Sequence, residues 1–241
     1  MSKVRKICVS IPMIDDQNKE TNELELPLYE IEKAIQKGAD LIECRFDFVK
    51  NFGKIDNYLN LLSKYKNQSV YTLRPENEGG KFGKDEHHRI ALLRKLMDAK
   101  PLFVDVEYNL VSNNDKVADM VENSDVRTLI SWHDFAKTPS LEELIRLVTE
   151  MSVYSPYIKI VTTAKTIDDS ITMLKLYQCI NTNINLIAFS MGELGIISRI
   201  LCSVTGNAPF TYASLGAAVA PGQLSIDQMI IFKELFDSKL M

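Results

Sequence analysis

The amino-acid sequence predicts an α/β chain folded as one domain, a (β/α)8 TIM barrel spanning residues 1–241, on two observations. Eight strand-like apolar runs are each followed by a stretch of helical periodicity, and no Gly/Ser-rich linker or shift of composition divides the chain. The runs are "ICVSIP" (7–12), "LIECRFDF" (41–48), "SVYTLR" (69–74), "PLFVDVEY" (101–108), "VRTLISWHDF" (126–135), "YIKIVTTA" (157–164), "INLIAFSM" (184–191) and "PFTYASL" (209–215). The helical stretches follow near 27–37, 56–66, 85–98, 112–123, 140–152, 166–180, 194–203 and 225–236. Asp56, Ser140 and Ser225 stand where N-caps are expected. An open doubly wound sheet is the other architecture that this strand count allows.

Composition narrows the partners. A core of 241 residues can enclose a deep, water-poor site. The net charge of −4, from 28 basic and 32 acidic residues well interspersed, leaves no basic stripe for nucleic acid and no acidic tail. A small molecule is the expected partner. The apolar run after "MSKVRK" stops at Pro12, too short for a signal peptide or a membrane span, so a cytoplasmic protein is expected. Cys8, Cys44, Cys179 and Cys202 are scattered in apolar contexts without CxxC spacing; free, packed thiols are expected, with neither disulfides nor zinc.

Strand period sorts the polar residues by face. In the second run Ile42, Cys44, Phe46 and Phe48 form an apolar face, and Glu43, Arg45 and Asp47 point the other way. In a barrel the apolar face meets the helices, which sends those charges inward. The same sorting sends inward Ser10, Thr72, Arg74, Asp105, Glu107, Ser131, His133 and Lys159. Barrel interiors are ordinarily filled by Val, Ile and Leu. Charges from neighbouring strands converging on one interior point to a site.

Lys159, in "YIKIVTTAK", is the unexpected residue of its strand. A free lysine amine, with a pKa of about 10.4, is protonated at neutral pH and cannot attack a carbonyl. Desolvation and cations such as Arg45 or Arg74 disfavour an ammonium, which makes Lys159 a candidate Schiff-base nucleophile. A buried ion pair with Glu107 or Glu43 is the structural alternative, and Lys165 is the competing amine. On this reading Lys159→Met removes a costly buried cation and raises the melting temperature. His133, in "SWHDF", is one strand away on the same face and is the candidate general acid/base. His87 and His88 fall in a charged segment and are expected to be solvated.

The loops add binding chemistry. "RPENEGGKFG" lacks the GxxxxGK[ST] pattern of a phosphate loop; Gly79 and Gly80 instead let the backbone turn so that Arg74 and Glu78 reach the barrel mouth. "SMGELGIISR" puts Gly192 and Gly195 at a helix start, with exposed amides and Arg199 one turn in, an expected anion site. "APGQ" places Gln223 at the mouth. An anionic substrate, a carboxylate, is implied.

Taken together, "ECRFD", "TLRPENEGG", "SWHDF", "YIKI", "SMGELGIISR" and "APGQ" resemble, in order and over essentially the whole chain, the type I 3-dehydroquinate dehydratase family. The resemblance implies a barrel that dehydrates 3-dehydroquinate to 3-dehydroshikimate in the shikimate pathway, without metal or cofactor, and a homodimer. By position it implies that Lys159 forms the imine, His133 moves protons and Glu78 orients that histidine. It implies further that Glu43, Arg45 and Arg74 bind ring hydroxyls, Arg199 and Gln223 clamp the carboxylate, Ser10 binds from the first strand, and Met191 walls the ring. Val219 stands where many members carry a hydroxyl residue, often Ser, before "APGQ".

Three other readings use the same residues. A class I aldolase also employs a barrel lysine, although its phosphorylated substrates call for a Gly-rich nest after strands seven and eight. A metal-dependent sugar isomerase could use Glu43, Asp105, Glu107 and His133 as ligands, although Arg45 and Lys159 would crowd the cation. A catalytically dead barrel would not need a complete Lys/His/Glu set.

Overall fold

Strands of a parallel sheet covered on both faces read as near-continuous apolar runs, and all eight runs form strands in the computed structural model of the protein. The structure describes residues 6–14, 25–83, 85–205, 208–216 and 220–239. Val219 therefore lies outside the described residues. The strands are β1 (Ile7–Pro12), β2 (Leu41–Arg45), β3 (Ser69–Thr72), β4 (Phe103–Glu107), β5 (Arg127–His133), β6 (Tyr157–Thr163), β7 (Asn185–Met191) and β8 (Thr211–Ser214). Their order is β7-β6-β5-β4-β3-β2-β1-β8, parallel throughout. With helices between the strands, the result is a nearly closed (β/α)8 barrel, and the doubly wound alternative is set aside. Phe189 of β7 and Tyr212 of β8 face one another across the seam, ring centroids 6.4 Å apart.

Helices α1 (Glu25–Gln36), α2 (Ile55–Leu62), α3 (Glu86–Asp98), α4 (Tyr108–Ser112), α5 (Asp115–Glu122), α6 (Leu141–Met151), α7 (Ile167–Cys179), α8 (Ile196–Thr205) and α9 (Ile226–Lys239) surround it. Ser140 starts α6 with a capping box shared with Glu143, and the Ser225 hydroxyl accepts from the Gln228 amide at 3.3 Å. Asp56 is not a cap. It lies inside the first turn of α2 and holds Lys95 of α3 at 2.7 Å. Asn114, Asp85 and Thr166 cap helices for which the sequence offered no named cap.

Several strands end earlier than their apolar runs. β2 stops at Arg45 and turns into a 3-10 segment, Phe46–Phe48, so Asp47 is not an inward strand residue. It is buried beside Arg45 instead. Cys179 is exposed, because it ends α7 rather than packing, whereas Cys8, Cys44 and Cys202 are free and buried.

The barrel interior is layered by chemistry. On the inward face, Cys8, Leu41, Val70, Phe103 and Leu129 are buried in one apolar cluster with Ile187, Phe210 and Tyr212. Two residues further along each strand, toward its C-terminal end, stand Ser10, Glu43, Thr72, Asp105 and Ser131, all buried. On β6 the same step leads from Tyr157 to Lys159. The outward face, including Ile42, Cys44, Ile130, Ile158 and Ile160, packs in a second, larger cluster with the helices. An apolar plug thus closes one end of the barrel, and the polar layer opens toward the end where active sites of this architecture lie.

Candidate active site

Lys159 extends from the middle of β6 and is only 6% exposed. Its Nζ donates to Asp105 Oδ2 at 3.2 Å, lies 3.8 Å from Glu43 Oε1, and stands 4.5 Å from the centroid of the Tyr212 ring. The immediate neighbours of the nitrogen are therefore two carboxylates and an aromatic face, not the cations expected from the sequence. The ion pair considered there does form with Glu43, but its shorter arm goes to Asp105 rather than Glu107.

Glu43 is held from two strands: Oε2 accepts from Ser10 at 2.6 Å and Oε1 from Thr72 at 3.0 Å. Burial opposes its charge, yet Lys159 and Arg45 outweigh that and hold its carboxyl below the usual range. Arg45 is locked by a two-pronged pair with Asp47, 2.8 Å at each contact. Asp47 Oδ2 also accepts from the Lys81 amide at 3.0 Å, which ties the loop after β3 to the end of β2.

Arg74 lies just beyond β3 and draws four side chains together. Nη2 donates to Asp105 Oδ1 at 2.6 Å, while Nη1 donates to Glu107 at 2.8 Å and Ser131 at 2.7 Å and stands 3.8 Å from Glu78. The Ser131 hydroxyl in turn donates a hydrogen bond to Asp105 Oδ1 at 2.6 Å. Burial penalises the Asp105 charge, but Arg74 and Lys159 prevail and its carboxyl stays far below the ordinary range. Arg89 of α3 completes the cluster by pairing with Glu107 and donating to the Leu73 carbonyl at 3.3 Å.

Glu78 reaches the barrel through a turn that requires glycine. Gly79 has φ +77°, and a Cβ there would meet the Phe135 ring at 2.4 Å; at Gly80 it would meet the Arg74 carbonyl oxygen at 2.0 Å. Glu78 Oε2 lies 3.3 Å from His133 Nδ1, and Oε1 accepts from Asn109 at 3.0 Å. Burial, then Arg74, push the His133 pKa down to about 4 against the pull of Glu78. Burial resists the Glu78 charge too, but His133 and Arg74 keep its carboxyl lowered. A neutral imidazole beside an ionised carboxylate carries its proton on Nδ1, which leaves Nε2 as an acceptor. Phe135 stacks on the histidine, planes 15° apart.

Arg199 of α8 is 3% exposed, with its guanidinium 4.3 Å from the Phe189 ring centroid. Burial lowers its pKa to about 10. Nη2 donates to the Pro221 carbonyl at 3.3 Å, whereas Nε is buried without a partner. The expected glycine amides do not join it. The Gly195 amide donates to the Gly192 carbonyl at 3.0 Å and the Gly192 amide to Pro221 at 3.3 Å, because a 3-10 turn precedes α8.

The ten residues singled out in the sequence, Ser10, Glu43, Arg45, Arg74, Glu78, His133, Lys159, Met191, Arg199 and Gln223, all line one cavity of about 120 Å³. Lys165 is exposed and outside it. His88 is not solvated as expected: it is partly buried and stacks on Phe82, planes 7° apart.

Several contributors were missed. Arg89 shares the helical spacing of Leu92, Leu93 and Leu96, a cation on a core-facing stripe that could have been noticed. Tyr212 and Phe189 read as ordinary strand core. Asn109 follows β4 with no periodic signal.

Comparisons with known proteins agree with this geometry. The family profile described as type I 3-dehydroquinase matches residues 7–234. The 3-dehydroquinate dehydratase of Pyrococcus abyssi is 35% identical over 211 residues, 87% of this chain and 94% of that protein. That of Thermococcus gammatolerans is 36% identical over 200 residues, 83% and 89% of the two chains. The crystal structure of the 3-dehydroquinate dehydratase from Geobacillus kaustophilus superposes with a TM-score of 0.84 at 25% identity, covering 97% of this chain and 91% of that one. A profile match over nearly the full length, relatives above 30% identity and a shared barrel leave one assignment: the chain belongs to the type I 3-dehydroquinase family.

Proposed function

We propose that the protein dehydrates 3-dehydroquinate to 3-dehydroshikimate, a hydro-lyase reaction, through a Schiff base on Lys159. The observation that carries the chemistry is a barrel-interior amine sharing one cavity with a neutral histidine whose partner is an ionised glutamate. The family carries the substrate.

The roles proposed here rest on the shared cavity and on the family resemblance. Arg199, buried with an unpartnered Nε, takes the substrate carboxylate with Gln223. Ser10, Glu43, Arg45 and Arg74 hold the ring hydroxyls, and Met191 packs against the ring. Nε2 of neutral His133 takes a proton from Lys159, and the freed amine attacks the ketone carbon. His133 returns that proton to the ketone oxygen, then takes a second proton from the carbinolamine nitrogen and delivers it to the departing hydroxyl, which leaves water and a cationic imine. The imine acidifies the adjacent carbon; His133 removes a proton there and delivers it to the leaving hydroxyl of the elimination. Hydrolysis of the imine restores Lys159.

The alternatives lose ground on geometry. Beside Arg199 the glycine amides that an aldolase phosphate would need are spent internally. The carboxylates that would ligate a sugar-isomerase metal are bonded to Ser10, Thr72, Arg74 and Lys159, and among the described residues no three His, Cys, Asp or Glu side chains converge as a metal site.

The reading extends to a single catalytic domain over residues 1–241, acting in the cytoplasm as a homodimer without metal or cofactor. Among the described residues no helix is long and apolar enough to cross a membrane. The test is to incubate purified protein with 3-dehydroquinate and follow the conjugated enone of the product by ultraviolet absorbance, with and without chelator. A rise indifferent to chelator is expected. No rise would overturn the activity, and loss with chelator would revive the metal reading.

A further inference from the structure

Asp105 has no place in the roles above. It is fully buried and is absent from the lining of the cavity, so it sits beneath the substrate rather than against it. Oδ1 accepts from both Arg74 (2.6 Å) and Ser131 (2.6 Å), which fixes the plane of the carboxylate and aims Oδ2 at Lys159 Nζ, 3.2 Å away. Arg74 is itself held by Glu107, and Glu107 by Arg89. Nothing in this chain of contacts depends on substrate.

We propose that Asp105 is the counter-ion of the cationic imine formed on Lys159, an assignment that rests on the Schiff-base reading. The balance of the reaction carries the argument. An ammonium and a ketone give a cationic imine and water: the N–C bond forms, the C–O bond breaks, and two of the three protons on nitrogen leave with the oxygen. One unit of positive charge stands on Nζ before and after. A fixed anion that pairs with the resting ammonium therefore meets the intermediate already oriented, and no reorganisation is needed when the charge returns.

Glu43 is the other anion nearby, but it is further from Nζ, at 3.8 Å, its oxygens already accept from Ser10 and Thr72, and it faces the cavity. Among the described residues, the other titratable or charged groups that act on the pair include Arg74 on the β3 side, Arg89 on α3, His133 on β5, Tyr212 on β8 and Cys8 on β1. Arg74, Arg89 and His133 offer no negative charge to the imine, and burial keeps the Cys8 thiol and the Tyr212 hydroxyl protonated. The Tyr212 ring face supports the cation from a second side.

The experiment compares wild type with Asp105→Asn, using 3-dehydroquinate. Removing the anion should lower kcat about 100-fold and change KM by less than about threefold, because Asp105 does not reach substrate. The imine should give up its proton more readily, so the alkaline limb of kcat should move down by about one pH unit. Borohydride trapping at Lys159 should fade at the same lower pH. A merely structural role would cost activity without moving the limb or the trapping profile, and that result overturns the proposal. If Asp105→Asn does not fold by circular dichroism, Ser131→Ala, which removes a donor from Oδ1 and leaves the anion less shared, should move the limb the opposite way, upward, by less; an unmoved limb there overturns it too. Failure to trap the wild-type enzyme would overturn the Schiff-base reading and this proposal together, whereas trapping in wild type with an unmoved limb in the variants would overturn this proposal alone.

Discussion

Glu78 Oε2 stands 3.3 Å from His133 Nδ1, although 55 residues separate them in sequence. The contact is made by a loop rather than by the sheet. Glu78 ends a 3-10 turn, Gly79 takes a left-handed conformation, and the Gly80 amide returns to the Pro75 carbonyl at 2.9 Å. The Phe82 amide then bonds to the Arg74 carbonyl at 3.2 Å, closing the turn on the arginine that organises the site. The position of one carboxylate thus depends on two glycines and on the residue that begins the loop.

On the proposed mechanism, His133→Ala removes the group that moves protons in both halves of the reaction. Its kcat should fall by about 10²–10⁴-fold with KM little changed, as expected for general acid/base catalysis. Glu78→Gln should cost less, because the imidazole remains and loses only the partner that fixes its tautomer. Steady-state kinetics on the two variants checks the order; near-normal kcat in His133→Ala would show that another group moves the protons.

Burial of His133 also makes stability depend on pH. Its pKa is lowered in the fold from an ordinary 6.5 to about 4, so between those values the unfolded chain binds a proton that the folded one does not. The contribution is complete above about pH 6.5 and is lost as pH falls through about 4, to a total of roughly 3 kcal/mol. Urea midpoints of wild type and His133→Gln at pH 7 and pH 4.5 should show wild type losing more over that interval. Equal losses would mean that His133 takes up a proton in the folded state.

What the sequence revealed of this site follows strand period. Ser10, Glu43, Lys159 and His133 were legible because a polar residue on a strand of fixed pleat can point only one of two ways. Asp47 was misassigned because nothing local separates the end of β2 from the 3-10 turn that continues its apolar run. The amides of Gly192 and Gly195 are not legible because the segment before α8 closes as a 3-10 turn, Gly195 onto Gly192, and because the Gly192 amide is taken by Pro221, far along the chain. Asp105 was placed inward, but its bond to Lys159 depends on the strand register and on which anion the lysine selects. Faces are local properties; partners are not.

Arg199→Ala should act on binding. The guanidinium is buried over Phe189 and keeps an Nε without a partner, the state of a group whose counter-charge arrives with substrate. A charge-assisted bond to a buried carboxylate contributes about 1.5–3 kcal/mol, so KM should rise about 10- to 100-fold with kcat largely kept. An unchanged KM would place the substrate carboxylate elsewhere.

Lys159→Met should abolish turnover and borohydride trapping together, because it keeps the volume of the side chain and removes the amine. Its effect on stability is the reverse of the one the sequence suggests. A lysine alone in an apolar interior would be a burden whose removal stabilises, but this one sits between Asp105 at 3.2 Å and Glu43 at 3.8 Å. Taking it away removes a cation from two buried carboxylates: Asp105 keeps its bond to Arg74, whereas Glu43 is left with Arg45, which is itself locked on Asp47. Breaking one side of a buried pair costs about 3–5 kcal/mol, so the melting temperature should fall by several degrees. Glu43→Gln added to Lys159→Met should recover part of that loss, since the double variant no longer buries the stranded charge. Differential scanning calorimetry on the two variants decides the matter: a melting temperature for Lys159→Met at or above that of wild type would mean that the lysine is not the cation these carboxylates rely on.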